Sequence, residues 1–200
     1  MWQRLGAILV LTISAQAAAA DEPPRIVTSF GYQSLTYQLD LAPLPANAVC
    51  IAFCSFPRAQ GTDSDHGWFA DVAVGVSNNV ALVGKAGGTY ASDGGFLTNA
   101  NPNYSSSSTH QFLAGVRVTT RPHERVHPFA HVLVGRAMAS ITGAPGSVSR
   151  SAGTLNVGGG LDLMFNAVAG VRIGGDWVHF SFEGLPADIA SFSAGFVLAR

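Results

Sequence analysis

From Arg25 onward, apolar and polar residues alternate at period two through eight stretches of the chain. The pattern is clearest in residues 155–178, LNVGGGLDLMFNAVAGVRIGGDWV. Leu155, Val157, Gly159, Leu161 and Leu163 share one face, and Asn156, Gly158, Gly160, Asp162 and Met164 share the other. After a turn at Phe165 and Asn166 the alternation resumes. Ala169, Val171, Ile173, Gly175 and Trp177 oppose Gly170, Arg172, Gly174 and Asp176. Successive side chains of a strand point to opposite sides of the sheet. The stretch is therefore a hairpin with one wholly apolar face, and its other face carries charges where a sandwich core would carry Leu or Ile.

The other strands repeat this polarity. Strand one, residues 25–37, sets Ile26, Thr28, Phe30 and Tyr32 against Val27, Ser29, Gly31 and Gln33. Strand two, residues 67–76, sets Trp68, Ala70, Val72, Val74 and Val76 against Phe69, Asp71, Ala73 and Gly75. Strand three, residues 80–90, puts Leu82, Gly84, Ala86, Gly88 and Tyr90 opposite Ala81, Val83, Lys85 and Gly87. Strand four, residues 109–119, carries Phe112, Ala114, Val116 and Val118 on its apolar face and Arg117 on the other. Strand five, residues 126–138, opposes Pro128, Ala130, Val132 and Val134 to Phe129, His131, Leu133 and Gly135. Strands six and seven form the hairpin described first. Strand eight, residues 189–198, turns Phe192, Ala194, Phe196 and Leu198 to the apolar side.

About 10 residues is the length at which a tilted strand crosses a bilayer. The connections alternate between short turns, near Asn78, His123 and Phe165, and long polar loops at residues 40–65, 92–107, 141–151 and 182–188. That asymmetry is typical of membrane barrels, with long loops outside the cell and short turns in the periplasm. Face parity agrees. A one-residue slip would flip a whole face, and turns of odd length centred near 78, 123 and 165 or 166 keep the charged faces together. The fold expected is all-β: an eight-stranded antiparallel up-and-down transmembrane β-barrel, with its apolar face to lipid and its termini periplasmic. Trp68, Tyr90, Phe112 and Trp177 sit near the long-loop ends on the apolar face, where interfacial aromatics belong. Phe165 is the best candidate for the opposite girdle.

Asp71, Lys85, Arg117, His131, Asp162, Arg172 and Asp176 all fall on the face opposite the apolar stripe. Eight strands enclose a space that side chains fill, and buried charges must pair. A salt-bridged lumen without a wide channel follows, with Asp71 close to Lys85 across their hairpin.

Composition narrows the partners. The chain has 200 residues and a formal net charge of −1, with lysine only at Lys85, so it carries no basic footprint for nucleic acid. Residues 1–20 read as a signal peptide: Arg4 precedes an apolar run, and small residues at Ala18, Ala19 and Ala20 suit cleavage. Residues 21–200 form the barrel domain. Cys50 and Cys54 are the only cysteines, and in an exported chain two neighbours most simply form a local disulfide. Nothing suggests a metal or other cofactor. His127 and His131 are about 13 Å apart along one strand, too far to share an ion.

His179, Ser181 and Glu183 supply the residue types of a Ser/His/acid esterase site on the outer wall, as in a lipid A deacylase. Alternate side chains on an extended strand stand about 7 Å apart, which is poor for a proton relay.

The chain resembles the eight-stranded outer-membrane β-barrel family, the OmpA/OmpX-like porin-family proteins. The resemblance is carried by HQFLAGVRVTTRPHERVHPFAHVLVG (residues 110–135), GGGLDLMFNAVAGVRIGGDWVHF (158–180) and SFSAGFVLAR (191–200). It implies an integral outer-membrane protein of a Gram-negative-type bacterium, folded by the barrel assembly machinery and surrounded by outer-membrane lipid. Such barrels usually finish on an aromatic residue, whereas here the last aromatic is Phe196. The function expected is structural or surface-interacting, adhesion or recognition, without catalysis. The alternatives are a narrow pore, a lipocalin-like soluble ligand-binding barrel, and the esterase.

Overall fold

A computed structural model describes residues 25–40, 60–92, 104–120, 125–143, 146–182 and 185–200. The expected signal peptide and the cysteine pair lie outside the described residues, as do Glu183 and residues 121–124 of the turn near His123.

The alternating stretches form eight strands: β1 (Ile26–Asp40), β2 (Gln60–Gly75), β3 (Val80–Ser92), β4 (Tyr104–Thr119), β5 (Val126–Gly143), β6 (Gly146–Met164), β7 (Ala169–Phe182) and β8 (Leu185–Ala199). Each pairs antiparallel with its sequence neighbours, and β8 closes on β1 from Val27↔Ala199 to Tyr37↔Ile189. At the termini, Ile26 and Arg200 exchange both backbone hydrogen bonds, at 2.9 and 2.8 Å. Closure leaves no sheet edge along the wall.

The expected faces are those observed. Phe30, Val72, Leu82, Phe112, Val134, Ile173 and Phe196 point outward, while the Asp71, Lys85 and Arg172 side chains are buried inside. A lipocalin-like barrel would show the reverse.

Two expected loops are absent. The sequence pattern predicts a long loop at residues 141–151, but β5 and β6 stay paired to Gly143↔Gly146. It predicts another at residues 182–188, yet β7 and β8 pair to Phe182↔Leu185. Their serines and small residues carry little period-two apolar signal. Backbone pairing needs none, and it continues past the apolar band. β2 and β4 also begin several residues earlier than their apolar stripes.

The register centres the β2–β3 turn on Asn78. It centres the β6–β7 turn on Ala167, later than expected, since Asp162 faces Arg172. Arg117 likewise faces His131 across β4–β5, one residue beyond a turn centred on 123. Moving a turn centre by one residue shifts the pairing by two, so every face survives. Asn166 holds the last turn, its Oδ1 accepting from the Val168 and Ala169 N–H groups at 2.8 Å each.

The interior is layered. Met164, Val197 and Ala199 pack with Val27 near the terminal end. Ala73, Val83, Leu113 and Leu133 line the β2–β5 side. At the loop end, Leu35, Ala137, Ala152, Val178, Phe180 and Ile189 form an apolar plug. Between these lie the buried charges.

Candidate functional site: a charged lumen and an outer-wall dyad

The lumen charges meet in two groups. In the first, Arg172 lies between two carboxylates. Its Nε donates to Asp162 Oδ1 at 2.6 Å and its Nη2 to Asp162 Oδ2 at 2.8 Å, a planar fork-to-fork match. Its Nη1 donates to Asp71 Oδ2 at 2.9 Å and to Ser29 Oγ at 2.8 Å. Arg117 binds the same Asp71, Nη1 to Oδ1 at 3.2 Å and Nη2 to Oδ2 at 3.1 Å. Ser29 Oγ completes the shell, donating to Asp71 Oδ2 at 2.7 Å. Both guanidinium groups lie over the Phe129 ring, 4.8 Å (Arg117) and 4.6 Å (Arg172) from its centroid. The ring face attracts cations, so it partly replaces the water that the arginines lost.

In the second group, Lys85 Nζ donates to Asp176 Oδ2 at 2.7 Å. His131 Nε2 lies 3.0 Å from Asp176 Oδ1 and 3.1 Å from Asn156 Oδ1. Asn156 Nδ2 donates to Asp176 Oδ2 at 3.2 Å. The expected Asp71–Lys85 ion pair is therefore replaced. Those residues do face each other in the β2–β3 register, but Asp71 is already held by two arginines, and the long lysine side chain crosses the lumen to Asp176 on β7. His127, on the same inward face, is also buried.

The glycines of β6 make room for this chemistry. A Cβ on Gly158 would collide with the Asp176 carboxylate, and one on Gly160 would stand 2.9 Å from the Phe129 ring. The recess at the terminal end, about 90 Å³, is lined at its depth by Arg117, Asp162 and Arg172. The apolar cluster of Leu35, Ala137, Ala152, Val178, Phe180 and Ile189 stands at the other end of the lumen.

The outward face of the loop end holds an aromatic and histidine belt. Trp68, Tyr90, Phe112 and Trp177 all point outward, joined by Tyr32 and Phe192. Three histidines lie among them, of which the sequence had placed only His179. His66 hydrogen-bonds the Tyr32 hydroxyl and stacks on its ring, and His110 meets Tyr90 edge-on. His179 stacks on Trp177 with ring centroids 5.7 Å apart. The signal for these contacts was faint: each histidine shares face parity with an aromatic on its own or the adjacent strand.

His179 has one further partner. Its Nδ1 lies 2.7 Å from Asp188 Oδ1, with the two side chains 33% and 62% exposed. Asp188 faces His179 across the β7–β8 register. The sequence pointed to Glu183 as the acid, and the registered partner is Asp188. Among the described residues, no three His, Cys, Asp or Glu side chains are grouped to hold a metal ion.

A family model for the outer membrane protein beta-barrel domain matches residues 5–198. Among solved structures, Ail, the attachment invasion locus protein of Yersinia pestis, is similar, with 15% identity, a TM-score of 0.56, and coverage of 90% of this chain and 100% of that one. A second structure of Ail, in complex with the heparin analogue sucrose octasulfate, matches at 14% identity and TM-score 0.56, covering 90% and 100% of the two chains. Neisserial surface protein A matches at 8% identity and TM-score 0.59, covering 88% of this chain and 95% of that one. At these identities the likeness concerns the fold. No curated protein shows significant sequence similarity to the chain.

Proposed function

The chain belongs to the outer membrane protein beta-barrel domain family, and from that premise we propose that it is a surface-interaction barrel whose loop end faces outside the cell. On this reading residues 1–20 are removed on export, both termini lie in the periplasm, and Trp68, Tyr90, Phe112 and Trp177 mark the outer interface. Outer-membrane lipid surrounds the wall, and the barrel assembly machinery inserts it.

One observation carries the reading. β4, β5 and β6 rise together to Tyr104↔Gly143 and Gly143↔Gly146, whereas β6–β7 pairing stops at Gly153↔Ser181. On the side away from β5, Gly146–Ala152 of β6 therefore presents a strand edge with no strand partner among the described residues. An open edge above a membrane is a template for an added strand from another protein, with main-chain hydrogen bonds giving affinity and side chains giving choice. Ser147, Ser149, Arg150 and Ser151 are exposed on it. The buried ion pairs and apolar clusters inside the barrel support the same reading over a narrow pore, with Asp71, Asp162 and Asp176 each held by a cation.

Cells displaying the protein should bind at least one member of a panel of host-surface proteins and sulfated glycans, with sucrose octasulfate as a competitor probe. Ser149→Pro together with Ser151→Pro should cut that binding at least tenfold while heat-modifiable gel mobility stays intact. No binding across the panel, or binding indifferent to both prolines, would overturn the proposal. In planar bilayers the protein should give no stable conductance steps.

A further inference from the structure

We propose that Ser181, His179 and Asp188 form an acyl-ester hydrolase site on the outer wall, acting on fatty-acyl esters of outer-leaflet lipids. The proposal is independent of the strand-edge reading and shares with it only the placement of the loop end.

Four features carry it. First, a carboxylate holds His179 Nδ1 at 2.7 Å. That bond orients the imidazole and leaves Nε2 free to take a proton, the role an acid plays in any Ser/His/acid relay. Second, Ser181 follows His179 on the same outward face, exposed and two residues nearer the loop end. Third, the wall beside Ser181 is bare. Its β6 neighbour is Gly153, where a Cβ would meet nothing within 4 Å, and beyond Gly153 in the same row lies Arg136. The exposed Arg136 points outward without a hydrogen bond or ion pair among the described residues. A cation across a bare gap suits an anionic lipid headgroup, placing the ester over Gly153 and beside the hydroxyl. Fourth, Trp177 stacks under the imidazole, so the dyad stands on the aromatic belt, where acyl chains meet headgroups.

The Cβ atoms of His179 and Ser181 are about 7 Å apart. Rotation of the two side chains toward a bound carbonyl shortens the relay, and such contacts commonly close only with substrate present.

The step is a hydrolysis. Ser181 Oγ bonds to the ester carbonyl carbon as its proton passes to His179 Nε2. The bond from that carbon to the alcohol oxygen breaks, and the alcohol leaves with the proton. Water then adds to the acyl-serine, giving one proton to His179. His179 returns it to Ser181 Oγ as the fatty acid departs.

The test uses the refolded full-length barrel in detergent micelles, with a long-chain fluorophosphonate as covalent probe and p-nitrophenyl palmitate as substrate. The parent should label on Ser181, located by mass spectrometry, and release p-nitrophenol. Ser181→Ala should abolish labelling, and His179→Ala and Asp188→Asn should slow it at least tenfold. Ser77→Ala, in the β2–β3 turn, should label as the parent does. Heat-modifiable mobility of every variant separates lost chemistry from lost folding. Arg136→Ala should raise KM for a phosphate-bearing lipid ester with little change for p-nitrophenyl palmitate. A folded parent that does not label, or labels equally without His179, would overturn the proposal.

Discussion

His131–Asp176 and His179–Asp188 are aspartate–histidine pairs of nearly equal length, and they differ in everything else. Inside, His131 and Asp176 are 3.0 Å apart, and Lys85 and Asn156 also bind the same carboxylate. On the outer wall, His179 and Asp188 are 2.7 Å apart and partly exposed, with Trp177 stacked on the imidazole. The buried carboxylate has spent its acceptors on neighbours that need it to stay charged, so it is structural. The outer pair stands partly in solvent, where such a pair contributes little to stability. Burial and the completeness of the shell decide the role, and the residue types do not.

The comparison breaks most readily from the inside. Arg172→Met would leave Asp71 and Asp162 short of their shared cation within the lumen, at a cost of about 3–5 kcal/mol. Urea titration in lipid vesicles, followed by heat-modifiable mobility, reads the loss, and a variant as stable as the parent would show that the network does not hold the barrel. Lys85→Met alone should cost about 3 kcal/mol by exposing Asp176 to an unpaired state, whereas adding Asp176→Leu should recover most of it, because an apolar pair of similar volume often replaces a buried ion pair without loss. If the second change made matters worse, the charges would be needed for more than neutralising one another. Gly158→Val should cost about 1–3 kcal/mol, since the new side chain enters the space of the Asp176 carboxylate. At the small end, Asp188→Asn should change stability by less than about 1 kcal/mol while reducing fluorophosphonate labelling. A large stability loss there would make the outer pair a structural element like the inner one.

Legibility followed the same division. Asp71, Lys85, Arg117, His131, Asp162, Arg172 and Asp176 were visible on the inward face because alternation assigns a residue to a face without knowing its partner, whereas Asp65, buried on the same face of β2, fell in the expected 40–65 loop. The partners were not visible. Lys85 sits directly opposite Asp71 in the register, yet it reaches Asp176, 91 positions away in the chain. The Phe129 ring between two arginines was equally hidden, because its neighbours come from β4 and β7. On the outer wall, His179 and Ser181 could be picked from alternate positions of one strand, but Asp188 meets His179 only because β7 and β8 stay paired past the apolar band.

By itself, the sequence determined the number of strands, the face of each side chain and the mixture of both charge signs in the lumen. Those follow from a period of two and a count of charges, both local properties of the chain. Closure of the sheet decided which charges touch, how far the strands rise above the apolar band, and which acid meets His179. Each of those depends on register and on distances across the barrel, which no single strand contains.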